Sequence, residues 1–314
     1  MNNRTIHFIC INYHCSELIA ELLDSLDSQH DPDIHTIIVD NSPNDPGLAQ
    51  LLAGRPDVDV LDAGRNRGFG GGCNLALEHL QTHDPTAIAW LINPDARLLP
   101  GAIATLRQCL QAPERPAVLG TRIQNSNGDI WFDRGRFDPQ WGQLNQEAQT
   151  TQPINRQADD TAIEACDWLS GCSLVLDLAA LPVEPRFDER IFLYYEDAEL
   201  CLRLRQCGAI AYVTTAVLVS HRVSATMSGH FVRKYRHATF GKLYLLHRHA
   251  SAMAVLANLL RFYGRASLQW IRDPQQAFGR AAGATLYLTW LARELIKVRT
   301  PAAARSVLGA GRGS

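Results

Sequence analysis

Several features that would narrow the function are absent from this 314-residue chain. Its eight cysteines include no CxxC pair, which argues against a zinc site or a disulfide framework and favours free thiols in a reducing compartment. No run of about 18 apolar residues occurs, so we expect no conventional membrane span. The opening residues, MNNRTIHFICINYH, lack the apolar core and cleavage site of a secretion signal. We therefore expect a cytoplasmic protein.

The composition that is present belongs to an ordinary globular protein, with 46% apolar and 20% charged residues. These values exclude a disordered chain and a collagen-like repeat. The length predicts one large domain, or one domain with a substantial appendage.

The charges are distributed unevenly along the chain. Residues 222–314 contain 15 lysines and arginines but only two acids, Asp273 and Glu294, whereas residues 1–221 carry a net charge of −15. Such a split indicates two regions with different partners. A basic region suits nucleic acid or anionic lipid, and the acidic remainder argues against broad nucleic-acid binding, so we expect no nucleic-acid partner.

The first third of the chain alternates short apolar runs with helical spacing. The predicted strands cover residues 7–12, 35–40, 57–61 and 87–92, and the predicted helices cover residues 16–29 and 68–80. The segment SPNDPG at 42–47 is predicted to be a turn. This alternation predicts a mostly parallel sheet with helices on both faces, and ligands bind such sheets at the carboxyl ends of the strands.

The remainder of the chain is less regular. We expect a long loop or hairpin over a site at 125–157, strands at 166–177 and 209–219, a helix at 198–206, and helices from there to about 299. The expected organisation is a catalytic domain at 1–225, a basic helical region at 226–300 and a disordered tail at 301–314.

Polar residues follow two of the predicted strands. Asp40-Asn41-Ser42 ends the second strand, Asn93-Pro94-Asp95 ends the fourth, and the glycine-rich segment GRNRGFGGGCN lies between them and opens a helix. Glycines let backbone amides approach a phosphate or sugar, although such a run is also found in a tight strand–helix turn. The segment lacks the third glycine of a Rossmann fingerprint and the lysine of a Walker A loop.

A second group of polar residues lies more than a hundred positions later. Tyr194-Tyr195-Glu196-Asp197 stands at a predicted helix start, and His221 follows the next strand. Acids at a helix start can be structural, since they stabilise the dipole by about 0.3–1 kcal/mol. Two aromatic residues before a carboxylate pair also fit a pocket that contains a general base.

Taken in order, IIVDNSP, GRNRGFGGGCN, LINPDARL, WLSGC and FLYYEDAELCLR, with a histidine at a strand end, resemble the family-2 inverting glycosyltransferases. The resemblance covers residues 5–225 and is greatest to bacterial rhamnosyltransferases of cell-surface polysaccharide assembly and to galactofuranosyltransferases. It implies the GT-A fold, an α/β sandwich that binds a nucleotide-diphosphate sugar, followed here by the basic helical region.

The resemblance also implies roles for individual residues. The residues expected to bind the nucleotide sugar are Asn12, Asp40, Asn66, Gly68, Asn93 and Asp95, with Asp40 on the pyrimidine base. Asp95 is the last acid of the DxD metal motif, whose first acid is replaced by Asn93, and it is expected to hold Mg²⁺ or Mn²⁺ together with His221.

On the acceptor side, the resemblance implies that Asp197 is the catalytic base and that Glu196 orients the base or the acceptor. Trp168, Ser170, Gly171 and Tyr195 are expected to contact the acceptor. Direct displacement inverts the anomeric centre, so one base suffices and a flanking carboxylate pair of the glycosidase type is not required.

The resemblance favours transfer of L-rhamnose from dTDP-rhamnose to a cell-surface glycan or its lipid-linked precursor. Transfer of galactose, galactofuranose or an N-acetylhexosamine from a UDP-sugar stays open. A non-catalytic nucleotide-sugar-binding scaffold is disfavoured by the presence of Asp95, Asp197 and His221. An RNA-binding protein is disfavoured because the basic region is predicted to be helical, without aromatic residues displayed on a sheet.

Three interpretations of residues 231–299 stay open. The basic helices, which carry aromatic residues and leucines, fit a subdomain that packs on the acidic body, a contact between subunits of an oligomer, or peripheral association with anionic lipid at the inner face of the cytoplasmic membrane.

Overall fold

The computed structural model describes residues 4–42, 45–147, 161–222 and 231–299. The expected tail at 301–314 and part of the expected loop at 125–157 lie outside these residues. The strands of the main sheet are β1 (Ile6–Asn12), β2 (Ile34–Asp40), β3 (Val58–Asp62), β4 (Ile88–Ile92), β5 (Ala96–Leu98), β6 (Val118–Asn125), β7 (Ile130–Phe132), β10 (Ile163–Cys166), β11 (Ser173–Asp177) and β12 (Ala211–His221), while β8 (Arg134–Asp138) and β9 (Gln143–Glu147) form a separate hairpin. The helices are α1 (Ser16–Asp27), α2 (Pro46–Leu52), α3 (Gly68–His83), α4 (Ala102–Cys109), α5 (Glu196–Gln206), α6 (Phe231–His249), α7 (Ala252–Gln269) and α8 (Pro274–Arg299).

The main sheet has the strand order β10-β12-β6-β11-β4-β1-β2-β3, with β5 added to β12 and β7 to β6. Strands β3, β2, β1 and β4 are parallel, as are β6 and β12, whereas β11 runs antiparallel to both β4 and β6. Every residue of β4, IAWLI, is buried, as expected for a central strand covered on both faces. The predicted mostly parallel sheet flanked by helices is therefore confirmed.

The stretch at 166–177, for which strand character is predicted, contains the end of one strand and the whole of another. Cys166 is the last residue of β10, which lies at the edge of the sheet beside β12. Residues 173–177 form β11, which lies in the centre between β4 and β6. Between them the chain is held to the β8–β9 hairpin, because the backbone N–H of Asp167 donates to the carbonyl of Gly135 at 2.9 Å. The predicted strand character is therefore found at both ends of the stretch, and residues 167–172 between them are not part of a strand.

The predicted turn at 42–47 contains the start of a helix. Helix α2 begins at Pro46, and the Asp45 carboxylate accepts hydrogen bonds from the backbone N–H groups of Gly47 and Leu48 at 3.0 and 3.3 Å. A proline is well tolerated at the first helical position, where no backbone N–H is needed. Between residues 93 and 124, where the sequence analysis assigned no element, the structure has β5, α4 and most of β6.

The basic region is helical as predicted, and α6 packs on the rest of the protein through apolar residues. One cluster joins Ile191 to Phe240, Leu243, Tyr244, Ala284 and Tyr287, and a second joins Ala198 and Leu202 of α5 to Leu245 and Leu246 of α6. The Tyr244 hydroxyl donates to Asp188 at 2.6 Å. Gly241 allows close approach, since a Cβ there would overlap the Tyr194 carbonyl oxygen.

Candidate active site

The ends of β1 and β2 form one side of the site. Asn12 is fully buried, and its side-chain amide donates to Asp40 at 3.0 Å, to Ser42 at 3.2 Å and to Asp45 at 3.0 Å. Asn12 and Asp40 are also register partners in the parallel pair β1–β2, which explains why they meet. The structure thus brings two of the predicted nucleotide-binding residues together.

The glycine-rich segment is held against this edge by side-chain amides. The buried Asn41 amide donates to the carbonyl of Gly68 at 2.9 Å, and the Asn66 side chain accepts from the N–H of Gly68 at 2.8 Å. Gly68 has a φ of +75°, and a Cβ there would overlap the carbonyl oxygen of Phe192. The position therefore needs glycine for both its conformation and its close contact.

Asp95 and His221 are paired in the interior. His221 Nε2 lies 3.0 Å from Asp95 Oδ1, and both side chains are almost completely buried. This contact follows from the antiparallel pairing of β5 with β12, in which Ala96 faces His221. The Trp131 ring packs on the imidazole with 4.4 Å between centroids, and His221 Nδ1 is buried without a hydrogen-bond partner among the described residues.

Glu196 and Asp197 form the first turn of α5. The Asp197 carboxylate accepts from the N–H of Gly171 and from that of Ala198, both at 2.8 Å. Burial raises the pKa of Asp197, while these two N–H groups oppose the rise. Burial, followed by the charge of Asp197, raises the pKa of Glu196 well above its usual value. Glu196 Oε2 is buried and has no partner among the described residues.

The two residues before this pair have a strained backbone. Tyr194 and Tyr195 have φ values of 69° and 73°, in the left-handed region that bulky residues seldom adopt. Each such residue costs on the order of 1–3 kcal/mol, and strain of this kind is concentrated at functional sites. Here the left-handed pair directly precedes the first turn of α5, in which Glu196 is buried and Asp197 half-buried.

Asp95, which follows β4, and Asp197 of α5 both lie near Cys172. Burial raises the pKa of the Cys172 thiol, and the charges of Asp95 and Asp197 raise it further, so both carboxylates lie near this one side chain. The backbone N–H of Asn93 also donates to the Cys172 carbonyl at 3.1 Å. The Asn93 side chain is half-buried.

Of the predicted acceptor residues, Ser170 and Gly171 contact Cys172 and Asp197, whereas Trp168 and Tyr195 pack on other neighbours. Ser170 is buried and its hydroxyl accepts from the N–H of Cys172 at 3.2 Å. The Trp168 indole donates to the Arg136 carbonyl at 3.3 Å and packs on Phe132. Tyr195 packs on the apolar cluster between α5 and α6. Contact of these residues with an acceptor stays a prediction.

Two side chains at the site were missed in the sequence analysis. Asp45 accepts from Asn12 and caps α2, and the Asn12 amide lowers the pKa of the Asp45 carboxyl. An aspartate directly before a proline is a signal for a helix start and could have identified it. Asn41 was quoted only as part of a motif, and nothing in its spacing predicts that it holds Gly68.

The described part of the chain has neither a ready-made metal cluster nor a membrane-spanning helix. They contain no group of three or more His, Cys, Asp or Glu side chains arranged to hold a metal ion. None of the helices in this part of the chain combines the length and the apolar character needed to cross a membrane.

Comparison with known sequences gives a family match. Residues 7–166 match the sequence profile described as Glycosyl transferase family 2. The chain is 25% identical over 279 residues to the N-acetylglucosaminyl-diphospho-decaprenol L-rhamnosyltransferase of Mycobacterium tuberculosis, and the match covers 83% of this chain and 87% of that protein.

Solved structures share the fold. GalNAc-T7, solved with UDP, GalNAc and Mn²⁺, superposes with a TM-score of 0.60 at 11% identity, and the match covers 94% of this chain but 58% of that one. The mannosyltransferase PcManGT of Pyrobaculum calidifontis, solved with GDP-Man and Mn²⁺, superposes with a TM-score of 0.52 at 16% identity and covers 92% and 88% of the two chains. At these identities the likeness concerns the fold alone.

Proposed function

The chain belongs to glycosyltransferase family 2, and from that premise we propose that it transfers L-rhamnose from dTDP-rhamnose, with inversion, to a lipid-linked glycan precursor or a cell-surface glycan. The donor and acceptor are suggested by the mycobacterial relative, whose name specifies an L-rhamnosyltransferase acting on a diphospho-decaprenol. We further propose residues 1–225 as the catalytic domain and 226–300 as an accessory helical region.

The observation that carries this proposal is the position of Asp197. Its carboxylate is half-buried, is held by the N–H groups of Gly171 and Ala198, and lies near the same thiol as Asp95. In the proposed reaction Asp197 removes the proton from the acceptor hydroxyl, which requires an approach of about 3 Å. Glu196 orients the base or the acceptor, and Asp40 with Asn12 binds the pyrimidine.

We propose that Asp95 and His221 hold Mg²⁺ or Mn²⁺. His221 Nε2 and Asp95 Oδ1 lie 3.0 Å apart, so both atoms could hold one ion if it replaced the hydrogen bond between them. A carboxylate oxygen and an imidazole are suitable donors for such ions. Held there, such an ion would supply positive charge for the leaving diphosphate. Asn93, two residues before Asp95, and Gly68 are proposed to contact the donor.

A donor screen tests the proposal. Thermal unfolding is measured with Mn²⁺ and either dTDP-rhamnose, UDP-galactose, UDP-galactofuranose or UDP-N-acetylglucosamine, since a ligand that binds the folded state raises the midpoint. We expect the largest rise with dTDP-rhamnose and a smaller one when EDTA is added. The product of the best donor is then examined by NMR, and inversion at the anomeric carbon is expected. A response to UDP-sugars alone overturns the rhamnose assignment.

We also propose that the C-terminal helices bind a lipid surface. Helix α7 exposes Met253, Leu256, Leu260 and Leu268. Contiguous exposed apolar surface of this kind marks an interaction site, and a basic helix with such a face binds at an anionic membrane interface. This location brings the site close to a lipid-linked acceptor.

A further inference from the structure

The short strand β7 contains an irregularity at Trp131. Ile123 of β6 pairs with Phe132. The next residue of β6, Gln124, pairs with Ile130. Trp131 is therefore an extra residue that has no pairing partner of its own on β6, which is the arrangement of a β-bulge. Bulges are over-represented next to active sites, where they redirect a side chain.

The side chain of this bulged residue lies against the proposed metal pair. The Trp131 indole and the His221 imidazole meet edge to face, with 4.4 Å between the ring centroids and 61° between the ring planes. Aromatic rings attract each other in this arrangement. Because the two rings touch, the imidazole cannot turn about its Cβ–Cγ bond unless the indole moves.

Few other contacts fix the orientation of the imidazole. Nε2 of His221 lies 3.0 Å from Asp95 Oδ1, but Nδ1 is buried without a hydrogen-bond partner among the described residues. A histidine that binds a metal ion ordinarily donates its other ring N–H to a carboxylate, a carbonyl or water, and that bond sets the orientation of the ring. The contact with Trp131 can take the place of such a bond.

This contact would become more important when the proposed site is filled. An ion held by both Nε2 and Oδ1 would replace the hydrogen bond between His221 and Asp95. The packing of Trp131 would then be the contact, within the described part of the chain, that keeps the imidazole from turning.

Trp131 is itself held on two sides. Its neighbour Phe132 is 1% exposed and belongs to the main apolar core, against which the half-buried indole also packs. The carbonyl of Trp131 accepts a hydrogen bond from the side-chain amide of Gln146 at 2.5 Å, which joins β7 to β9. A ring that is fixed through both its backbone and its packing can restrain the ring beside it.

We propose that Trp131 is a positioning residue for the proposed metal site and holds the His221 imidazole with Nε2 directed at Asp95. It acts through His221 and touches neither the ion nor the donor. The inference rests on the proposed function, because it requires an ion at the Asp95–His221 pair.

Binding of dTDP and of UDP to the full-length protein tests the inference by isothermal titration, with either Mn²⁺ or EDTA present. The metal effect is the ratio of the two affinities for the same nucleotide. Trp131→Leu keeps an apolar side chain but loses the flat ring, and we expect its metal effect to fall about tenfold, the scale for loss of a group that orients a metal ligand. Its affinity in EDTA should stay at the wild-type value. Trp131→Phe, which retains a ring, should keep most of the metal effect.

The matched control is Trp290→Leu. Trp290 is also a half-buried tryptophan in edge-to-face contact with a histidine, since its ring centroid lies 5.1 Å from that of His247 with 89° between the planes. Neither residue belongs to the proposed metal or donor site. The variant therefore loses a similar aromatic contact and should keep the wild-type metal effect.

Urea denaturation establishes that each variant is folded under the conditions of the titration. If Trp131→Leu is unfolded, Trp131→Met, with a longer and more flexible apolar side chain, replaces it with the same expectation. An unchanged metal effect in the folded variant overturns the inference. An equal loss of affinity in Mn²⁺ and in EDTA also overturns it, because a residue that only supports the fold would give that result.

His221→Ala distinguishes failure of this inference from failure of the proposed function. If the wild type shows a metal effect that His221→Ala loses and Trp131→Leu keeps, Trp131 does not position the histidine and the metal assignment stands. If Mn²⁺ leaves the nucleotide affinity of the wild type unchanged, the proposed metal site is wrong, and the role of Trp131 is wrong with it.

Discussion

At the residue scale, the proposed base is distinguished by the groups that hold it. Both oxygens of Asp197 accept backbone N–H groups, one from Gly171 and one from Ala198. Asp197→Asn keeps the shape and one of these acceptors but cannot remove a proton. We expect transfer to fall at least about 10²-fold, with donor affinity nearly unchanged. Initial rates and donor titration measure the two effects separately.

The pH dependence of the reaction provides a second check on Asp197. A base must be deprotonated, so kcat/KM falls as the pH drops through its pKa. Since burial raises that pKa, the acid limb should lie above the usual value of 3.8 for an aspartate. Activity of Asp197→Asn within a few-fold of the wild type would exclude this residue as the base.

Glu196 gives a prediction about stability. Its raised pKa means that the folded state binds more protons than the unfolded chain, so the free energy of unfolding falls as the pH rises through the interval between the two pKa values. Glu196→Gln has no carboxyl to ionise and so avoids this loss of stability, which is about 1.4 kcal/mol for each pH unit between the folded and unfolded pKa values. Urea denaturation should find the variant more stable than the wild type at pH 8, with a difference that shrinks towards pH 4.5.

The control for this prediction is Glu184→Gln, which changes an exposed carboxylate in the same way. It should leave the pH dependence of unfolding as in the wild type. A Glu196→Gln variant that is less stable than the wild type at pH 8 would show that the carboxylate is stabilised by contacts in the folded protein.

The Asp95–His221 pair leads to a prediction about metal. If both residues hold the ion, His221→Ala should lose most of the increase in donor affinity that Mn²⁺ produces in the wild type. His83→Ala, which removes an exposed imidazole on α3, should keep it. Donor affinity is measured by titration with and without Mn²⁺. If Mn²⁺ raises the donor affinity of His221→Ala as much as that of the wild type, His221 is not a metal ligand.

At the scale of elements, the strands with continuous apolar runs could be predicted from sequence. Strands β1, β2 and β4 were predicted to within a residue, because fully buried parallel strands have a clear pattern. The division of 166–177 could not be predicted, since it depends on backbone hydrogen bonds to Gly135, which is distant in sequence. The Asp95–His221 contact likewise depends on the three-residue strand β5, too short to leave a periodic signal.

The glycine loop provides a prediction at this scale. Gly68 and Gly101 have nearly equal φ values, +75° and +77°, but a Cβ meets the Phe192 carbonyl at the first position and open space at the second. Gly101→Ala should therefore cost only the conformational strain of about 1–2 kcal/mol. Gly68→Ala should cost more and also weaken donor binding, because the loop must move. Urea denaturation and donor titration test this, and equal effects of the two changes would contradict it.

At the scale of the whole molecule, the charge asymmetry was visible in the sequence but its structural consequence was not. The sequence allowed packing on the body, contact between subunits or binding to lipid. The structure shows that α6 packs through the apolar Leu243, Leu245 and Leu246, and that its buried His249 imidazole lies 3.5 Å from the buried Glu199 of α5. Such packing depends on which helix faces are paired in space, and this pairing cannot be read from helical spacing alone.

Helix α7 carries the last prediction, that the protein binds anionic membranes. Leu260 and Leu268 are 64% and 81% exposed and lie on the same side of the helix, and the exposed Arg261 and Arg265 flank that side.

The double change Leu260→Glu and Leu268→Glu places two negative charges where the hydrocarbon would be. The wild type should float with anionic liposomes at low salt and much less at 1 M salt, where the Debye length is about 3 Å. The double variant should stay with the unbound fraction, whereas Val183→Glu, an exposed apolar residue of the body, should float normally. If the folded wild type ignores anionic liposomes at low salt, α7 is exposed for another reason and the membrane proposal fails.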